Sequence, residues 1–150
     1  MPARNVLPII LVGADPEAFV REKKSGKIVS AHDLLPGTKE APFPVKDGAI
    51  QVDGLAAEFN TTPANSGQLF EATCHNVIAE LKKKLGPKYE LVFEPAHVFE
   101  QDYYDSLPEE TKILGCTADF NGYTRDINPP PMTEEFPTMR TTSGHLHGGW

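Results

Sequence analysis

The stretch AIQVDGLAAEFN, residues Ala49 to Asn60, decides the fold. Apolar and polar residues alternate on both sides of a glycine: Ile50 and Val52 against Gln51 and Asp53, then Ala57 and Phe59 against Glu58 and Asn60. A period of two is the pattern of a strand with one buried face. The segment reads as one strong strand over Ala49 to Asn60. Gly54 marks a bulge that shifts the phase, so that Gln51, Asp53, Glu58 and Asn60 come to one side. A solvated polar face explains such a strand as well as a binding face does, so the neighbouring segments must decide between them.

Upstream, Leu7 to Arg21 reads as a strand, followed by a turn at Lys24-Ser25-Gly26-Lys27 and a short return strand, Ile28 to Ala31. His32 to Gly48, broken by Pro36-Gly37, Pro42 and Pro44, reads as a loop. Downstream lies the clearest helix. Asn65 or Ser66 caps it, and Leu69, Phe70, Thr73, Val77, Leu81 and Leu85 recur at helical spacing. Lys82 to Lys84 suit the negative end of its dipole, and Gly86-Pro87 stops it. Tyr89 to Glu100 reads as a third strand. Ser106, Pro108 and Glu109 open a short helix ending at Gly115, and Thr138 to His147 forms a final strand after a long irregular segment, Cys116 to Phe136. Strands outnumber helices and are joined by turns or single helices. The expected class is α+β, a single domain over residues 1–150 with a mainly antiparallel sheet.

The formal net charge of −7 speaks against nucleic acid as a partner, because phosphate backbones require a basic surface. An acidic chain still binds ATP if divalent cations neutralise the phosphates. No apolar run is long enough to span a membrane, and the N-terminal residues lack a signal-peptide cleavage pattern. Two cysteines, Cys74 and Cys116, offer no disulfide framework, which fits a reducing cytoplasm.

Three segments carry candidate chemistry. In Asp15-Pro16-Glu17, two carboxylates a dipeptide apart on one strand share a face and suit hard cations, which prefer oxygen. Their apolar flanks make bare acidic groups costly unless paired or metal-bound. Asp53 and Glu58 supply a second acidic set. In Arg140-Thr141-Thr142-Ser143-Gly144-His145-Leu146-His147, the two histidines share a strand face, and Arg140 is suited to a bidentate phosphate contact. Lys39, in the Pro/Gly-rich loop, has the length to reach a phosphate, but a solvated surface lysine is the more ordinary reading.

In this order the three segments resemble the phage-associated carboxylate–amine ligases (amidoligases) of the glutamine synthetase and glutamate–cysteine ligase superfamily. The resemblance extends through Pro36-Gly37-Thr38-Lys39, Leu114-Gly115-Cys116 and Asn128-Pro129-Pro130. It implies a curved, mainly antiparallel sheet with helices on one face, corresponding to the N-terminal portion of the family's catalytic domain and incomplete at the C-terminus. It also implies ATP with Mg²⁺ or Mn²⁺, and amide formation from a carboxylate and an amine through an acyl phosphate. Asp15, Glu17, Asp53, Glu58 and His145 would hold metal. Arg140, His145 and Lys39 would contact nucleotide, and Arg140 and His147 would act on the reacting groups. The alternative expectation is a non-catalytic phage structural or interaction protein retaining this fold. Homo-oligomeric rings or a phage particle are the expected assemblies, in the host cytoplasm or on the virion.

Overall fold

The computed structural model describes residues 9–113, 120–128 and 136–150. Its elements, in chain order, are β1 (Leu11–Ala14), β2 (Glu17–Glu22), β3 (Ile28–Val29), β4 (Phe43–Val45), β5 (Gly48–Asp53) and β6 (Ala56–Thr61), then α1 (Gly67–Leu85), β7 (Tyr89–Val92) and β8 (Ala96–Val98), and finally α2 (Gln101–Asp105), α3 (Glu109–Lys112), β9 (Met139–Thr141) and β10 (Leu146–Gly149). The class is α+β, and the main sheet curls into an antiparallel half-barrel.

Ala49 to Asn60 is a hairpin and not one bulged strand. Asp53 pairs with Ala56 across a two-residue turn, Gly54-Leu55, and Gln51 pairs with Glu58. Gly54 sits at φ +56°, where a side chain is strained, so its role is to close the turn. The hairpin still puts Gln51, Asp53, Glu58 and Asn60 on one face, because directly paired residues point the same way. Strand β2 is the hub of the sheet. It pairs with β6 through Glu17 and Ala18, with β3 through Val20 and Arg21, and with β7 from Phe19 to Glu22.

Other expected strands are shorter than their sequence patterns. The first breaks at Asp15-Pro16, where the proline ring removes a ladder donor, and β1 goes to β10 while β2 joins the main sheet. Tyr89 to Glu100 divides into β7 and β8, and Thr138 to His147 into β9 and β10. Each half takes a different partner. The loop His32 to Gly48 contains a strand that its prolines concealed: β4, with Pro44 inside it, pairs with β5 and, among the described strands, with no other. The expected Ser106 capping box does not form. The Ser106 hydroxyl donates to the Tyr103 carbonyl, and an additional helix, α2, precedes it. Leu7, Gly115, Cys116 and Pro129-Pro130-Pro131 lie outside the described residues.

The side chains of β2 alternate between two apolar clusters, and those of β5 and β6 between the first of these clusters and the polar face of Gln51, Asp53, Glu58 and Asn60. On one face Val20, Ile50, Ala57 and Phe59 pack against Val77, Leu81 and Leu85 of α1. On the other, Phe19 packs with Ile28, Leu55, Val92 and Phe99, and Tyr103, Tyr104 and Leu107 close over them. Helical residues therefore meet both faces of the sheet, which corrects the expectation of helices on one face. Ala18, Phe19 and Val20 of β2 form an unbroken buried run, so each face of that strand needs its own cover.

Helix α1 starts where the sequence indicates. The Ser66 hydroxyl accepts the Leu69 N–H at 3.3 Å, and the helix ends at Gly86, whose N–H donates to the Lys82 carbonyl. Ser66→Ala is expected to cost about 1 kcal/mol, because one N–H of the first turn loses its acceptor. The check is a lowered denaturant midpoint at unchanged m. Among the described residues, no helix is long and apolar enough to cross a membrane.

Candidate metal centre

Three adjacent antiparallel strands place three carboxylates side by side. Glu17 of β2 pairs with Glu58 of β6, and Glu58 pairs with Gln51 of β5; Asp53 lies two residues further along β5 on the same face. One oxygen from each of Glu17, Asp53 and Glu58 lies within 4.8 Å of the other two, and all three residues are half-buried. Ligands about 2.0–2.1 Å from a shared Mg²⁺ lie at most about 4.2 Å apart, so a bound cation would draw these oxygens somewhat closer together. The donors are all hard oxygens, the set that suits Mg²⁺ or Mn²⁺.

Burial pushes the Glu58 carboxyl above its ordinary pKa. The hydrogen bond from Gln51 Nε2, 2.8 Å away, opposes that shift, while the charges of Asp53, Glu17 and Asp15 add to it. Lys39 Nζ, 3.7 Å from Asp53 Oδ2, supplies positive charge at one side. Lys39 and Asp53 also line a cleft of about 1000 Å³ with Gly37, Thr38 and Glu110.

Asp15 stands beside this trio and turns to the histidine segment. Its Oδ1 accepts the His145 backbone N–H at 2.9 Å and lies 3.3 Å from His145 Nδ1; its Oδ2 is 3.2 Å from His147 Nε2. Burial alone would raise the Asp15 pKa. The hydrogen bonds from His147 and the His145 backbone, with the charges of both imidazoles, outweigh it and bring the pKa below the usual value. The two histidine rings tilt toward each other with centroids 6.1 Å apart.

The residues expected in one cluster therefore divide into two neighbouring groups, Glu17–Asp53–Glu58 and Asp15–His145–His147. Glu17 links them, since its Oε2 accepts the Ser143 N–H at 2.9 Å. This link rests on Gly144, where a Cβ would lie 2.9 Å from Pro16 Cα. The Ser143-Gly144-His145 signal was visible in the sequence. The crossing over Pro16 was not, because it depends on which strand lies beside it.

Arg140 takes a different place. Its guanidinium stacks over the Tyr104 ring at 4.8 Å and donates to the Tyr104 hydroxyl and to the Lys112 carbonyl, the latter at 2.8 Å. Its Nη1 donates to the Pro137 and Met139 carbonyls, while its buried Nε has no hydrogen-bond partner among the described residues, so the guanidinium is packed against α2 and the end of α3 with one donor left over. The reason is register: β9 pairs with β8, which sets Arg140 opposite His97 and away from β10. No protein family, curated protein or solved structure matches the chain.

Proposed function

We propose that the chain is an ATP- and Mg²⁺-dependent carboxylate–amine ligase working in the cytoplasm. The observation that carries the reading is the meeting of Glu17, Asp53 and Glu58 from three strands, with an oxygen of each within 4.8 Å of the others. Lys39 balances one of the three charges at Asp53, and a divalent cation among the carboxylates would balance the rest. Mn²⁺ would serve the same ligands. When bound, such a cation screens the negative charge that ATP and a substrate carboxylate bring together.

The chain's own groups would then divide the work. Glu17, Asp53 and Glu58 hold the cation. Gln51 fixes the Glu58 carboxylate by its hydrogen bond, and the Ser143 N–H fixes that of Glu17. Asp15 orients His145 and His147, whose ring nitrogens offer donors to a phosphate or substrate oxygen. Lys39, on the rim of the cleft beside Asp53, offers a cation to an anionic substrate group.

The test is to supply Mg²⁺, ATP and a panel of carboxylates with hydroxylamine in place of the amine. The expected result is a hydroxamate that requires both Mg²⁺ and the carboxylate, because hydroxylamine captures an acyl phosphate. Absence of hydroxamate and of ADP across the panel would remove the ligase reading. If sedimentation then showed assembly into rings or particles, a non-catalytic phage structural role would take its place. One observation favours that second reading: β10 pairs only with β1 among the described strands, and Leu146 and Trp150 are 74% and 91% exposed.

A further inference from the structure

A second pocket opens further along the same sheet face. Side chains alternate along β2, so Glu17, Phe19 and Arg21 point the same way. Phe19 is fully buried and stands between the carboxylate trio and a pocket of about 490 Å³ that Arg21 lines. That volume is typical of a small-molecule site. The interior surface is apolar and aromatic, with Ile28, Val98, Phe99 and Tyr103, and Val98 is left 53% exposed. His97 is held in the wall by edge-on contacts with Phe19 and Phe99, at centroid distances of 5.9 and 4.8 Å.

The charges around the mouth indicate what would bind. Three carboxylates, Glu22, Glu94 and Glu100, face two cations, Arg21 and Lys27. Both cations are already engaged: Arg21 with Glu90 at 3.3 Å and Glu94 at 3.2 Å, and Lys27 with Glu100 at 2.9 Å. The Lys27–Glu100 pair is exposed on both sides, so exchanging its cation for another costs little. Burial holds the His97 pKa below its ordinary value; the Glu94 charge opposes this and the Arg21 charge supports it. The imidazole is thus neutral at neutral pH and adds no positive charge to the mouth.

We propose that this pocket binds a small primary ammonium ion with an apolar body, its charge directed to Glu94 and Glu100 and its body laid on Val98, Phe99 and Tyr103. The site is separate from the metal centre and independent of the ligase reading. The test is therefore run with chelator present and without nucleotide. Phenethylamine is the probe, and 3-phenylpropionate, close in shape and opposite in charge, is its control; both are followed by calorimetry and by amide shifts at His97 and Val98. The amine is expected to bind, and the carboxylate to bind at least about ten-fold more weakly, since a charge-assisted hydrogen bond contributes roughly 1.5 kcal/mol or more. The Glu94→Gln, Glu100→Gln double variant is expected to lose about ten-fold in amine affinity while keeping the parent's melting temperature. No binding of the amine, equal binding of the carboxylate, or unchanged affinity in the double variant would each overturn the proposal. The comparison of the two ligands needs no variant, so it stands even if the substitutions disturb folding.

Discussion

Glu58→Gln is expected to weaken Mg²⁺ or Mn²⁺ binding at least about 30-fold and, at the same time, to raise the melting temperature of the cation-free protein near neutral pH. The first effect follows from removing one charged ligand, since truncating a partner of a paired charge costs roughly 2 kcal/mol or more. The second follows from the pKa of Glu58, which burial raises above 4.5 with help from Asp53, Glu17 and Asp15. A carboxyl with a raised pKa holds its proton more tightly in the folded state. The stability it confers is present in acid and falls as pH climbs from 4.5 through the folded value. Asp15 works in the opposite sense: its pKa is lowered, so its contribution is present above 3.8 and is lost as pH falls through the folded value. Melting curves with chelator should therefore decline from mildly acid to neutral pH in the parent, decline less in Glu58→Gln, and flatten in the parent when Mn²⁺ is added. Calorimetry with Mn²⁺ measures the affinity directly. A cation-free Glu58→Gln protein that melts below the parent, with unchanged Mn²⁺ affinity, would show that the trio is merely a hydrogen-bonded surface.

The acidic face was legible from the sequence because it rests on the two-residue period of strands, which survives errors about where strands end. Reading Ala49 to Asn60 as one bulged strand was wrong, yet it placed Gln51, Asp53, Glu58 and Asn60 together. A bulge and a two-residue turn at Gly54 both bring the two polar pairs to the same side. Helix α1 was legible because Ser66 and Gly86 bracket an apolar stripe whose Thr73, Val77, Leu81 and Leu85 are buried. What the sequence hid depends on contacts between distant residues. Strand breaks at Asp15-Pro16 and around Ser143 follow from partners more than a hundred residues apart, as the Glu17 and Asp15 bonds to Ser143 and His145 show. The place of Arg140 was hidden for the same reason. Its local sequence says nothing of its neighbours, and only the pairing of β9 with β8 reveals that its guanidinium meets Tyr104 and the Lys112 carbonyl.

Phe59→Ala is expected to cost about 3–5 kcal/mol, the largest loss of any single substitution considered for this chain. Phe59 is 1% exposed and packs in the cluster that joins β5 and β6 to α1, beside Ile50, Val77 and Leu81. Removing its ring takes away the transfer energy of a large apolar group. It also leaves a cavity that the sheet cannot close, because β6 is held by β5 on one side and by the Phe59 N–H to the Pro16 carbonyl at 3.1 Å. A loss of this size is comparable to the whole stability of a marginal domain, so the variant should show a large fall in denaturant midpoint. Phe59→Leu keeps most of the volume and is expected to lose only about 1 kcal/mol. The pair also tests the link from packing to function. Phe59 and Glu58 are neighbours on opposite faces of β6, so the ring that anchors the strand to α1 also fixes the carboxylate's position. Cation affinity should stay near the parent's in Phe59→Leu and fall in any folded fraction of Phe59→Ala. If Phe59→Ala costs less than about 1 kcal/mol, α1 does not pack on this face, and the frame that holds Glu17, Asp53 and Glu58 in place is wrong.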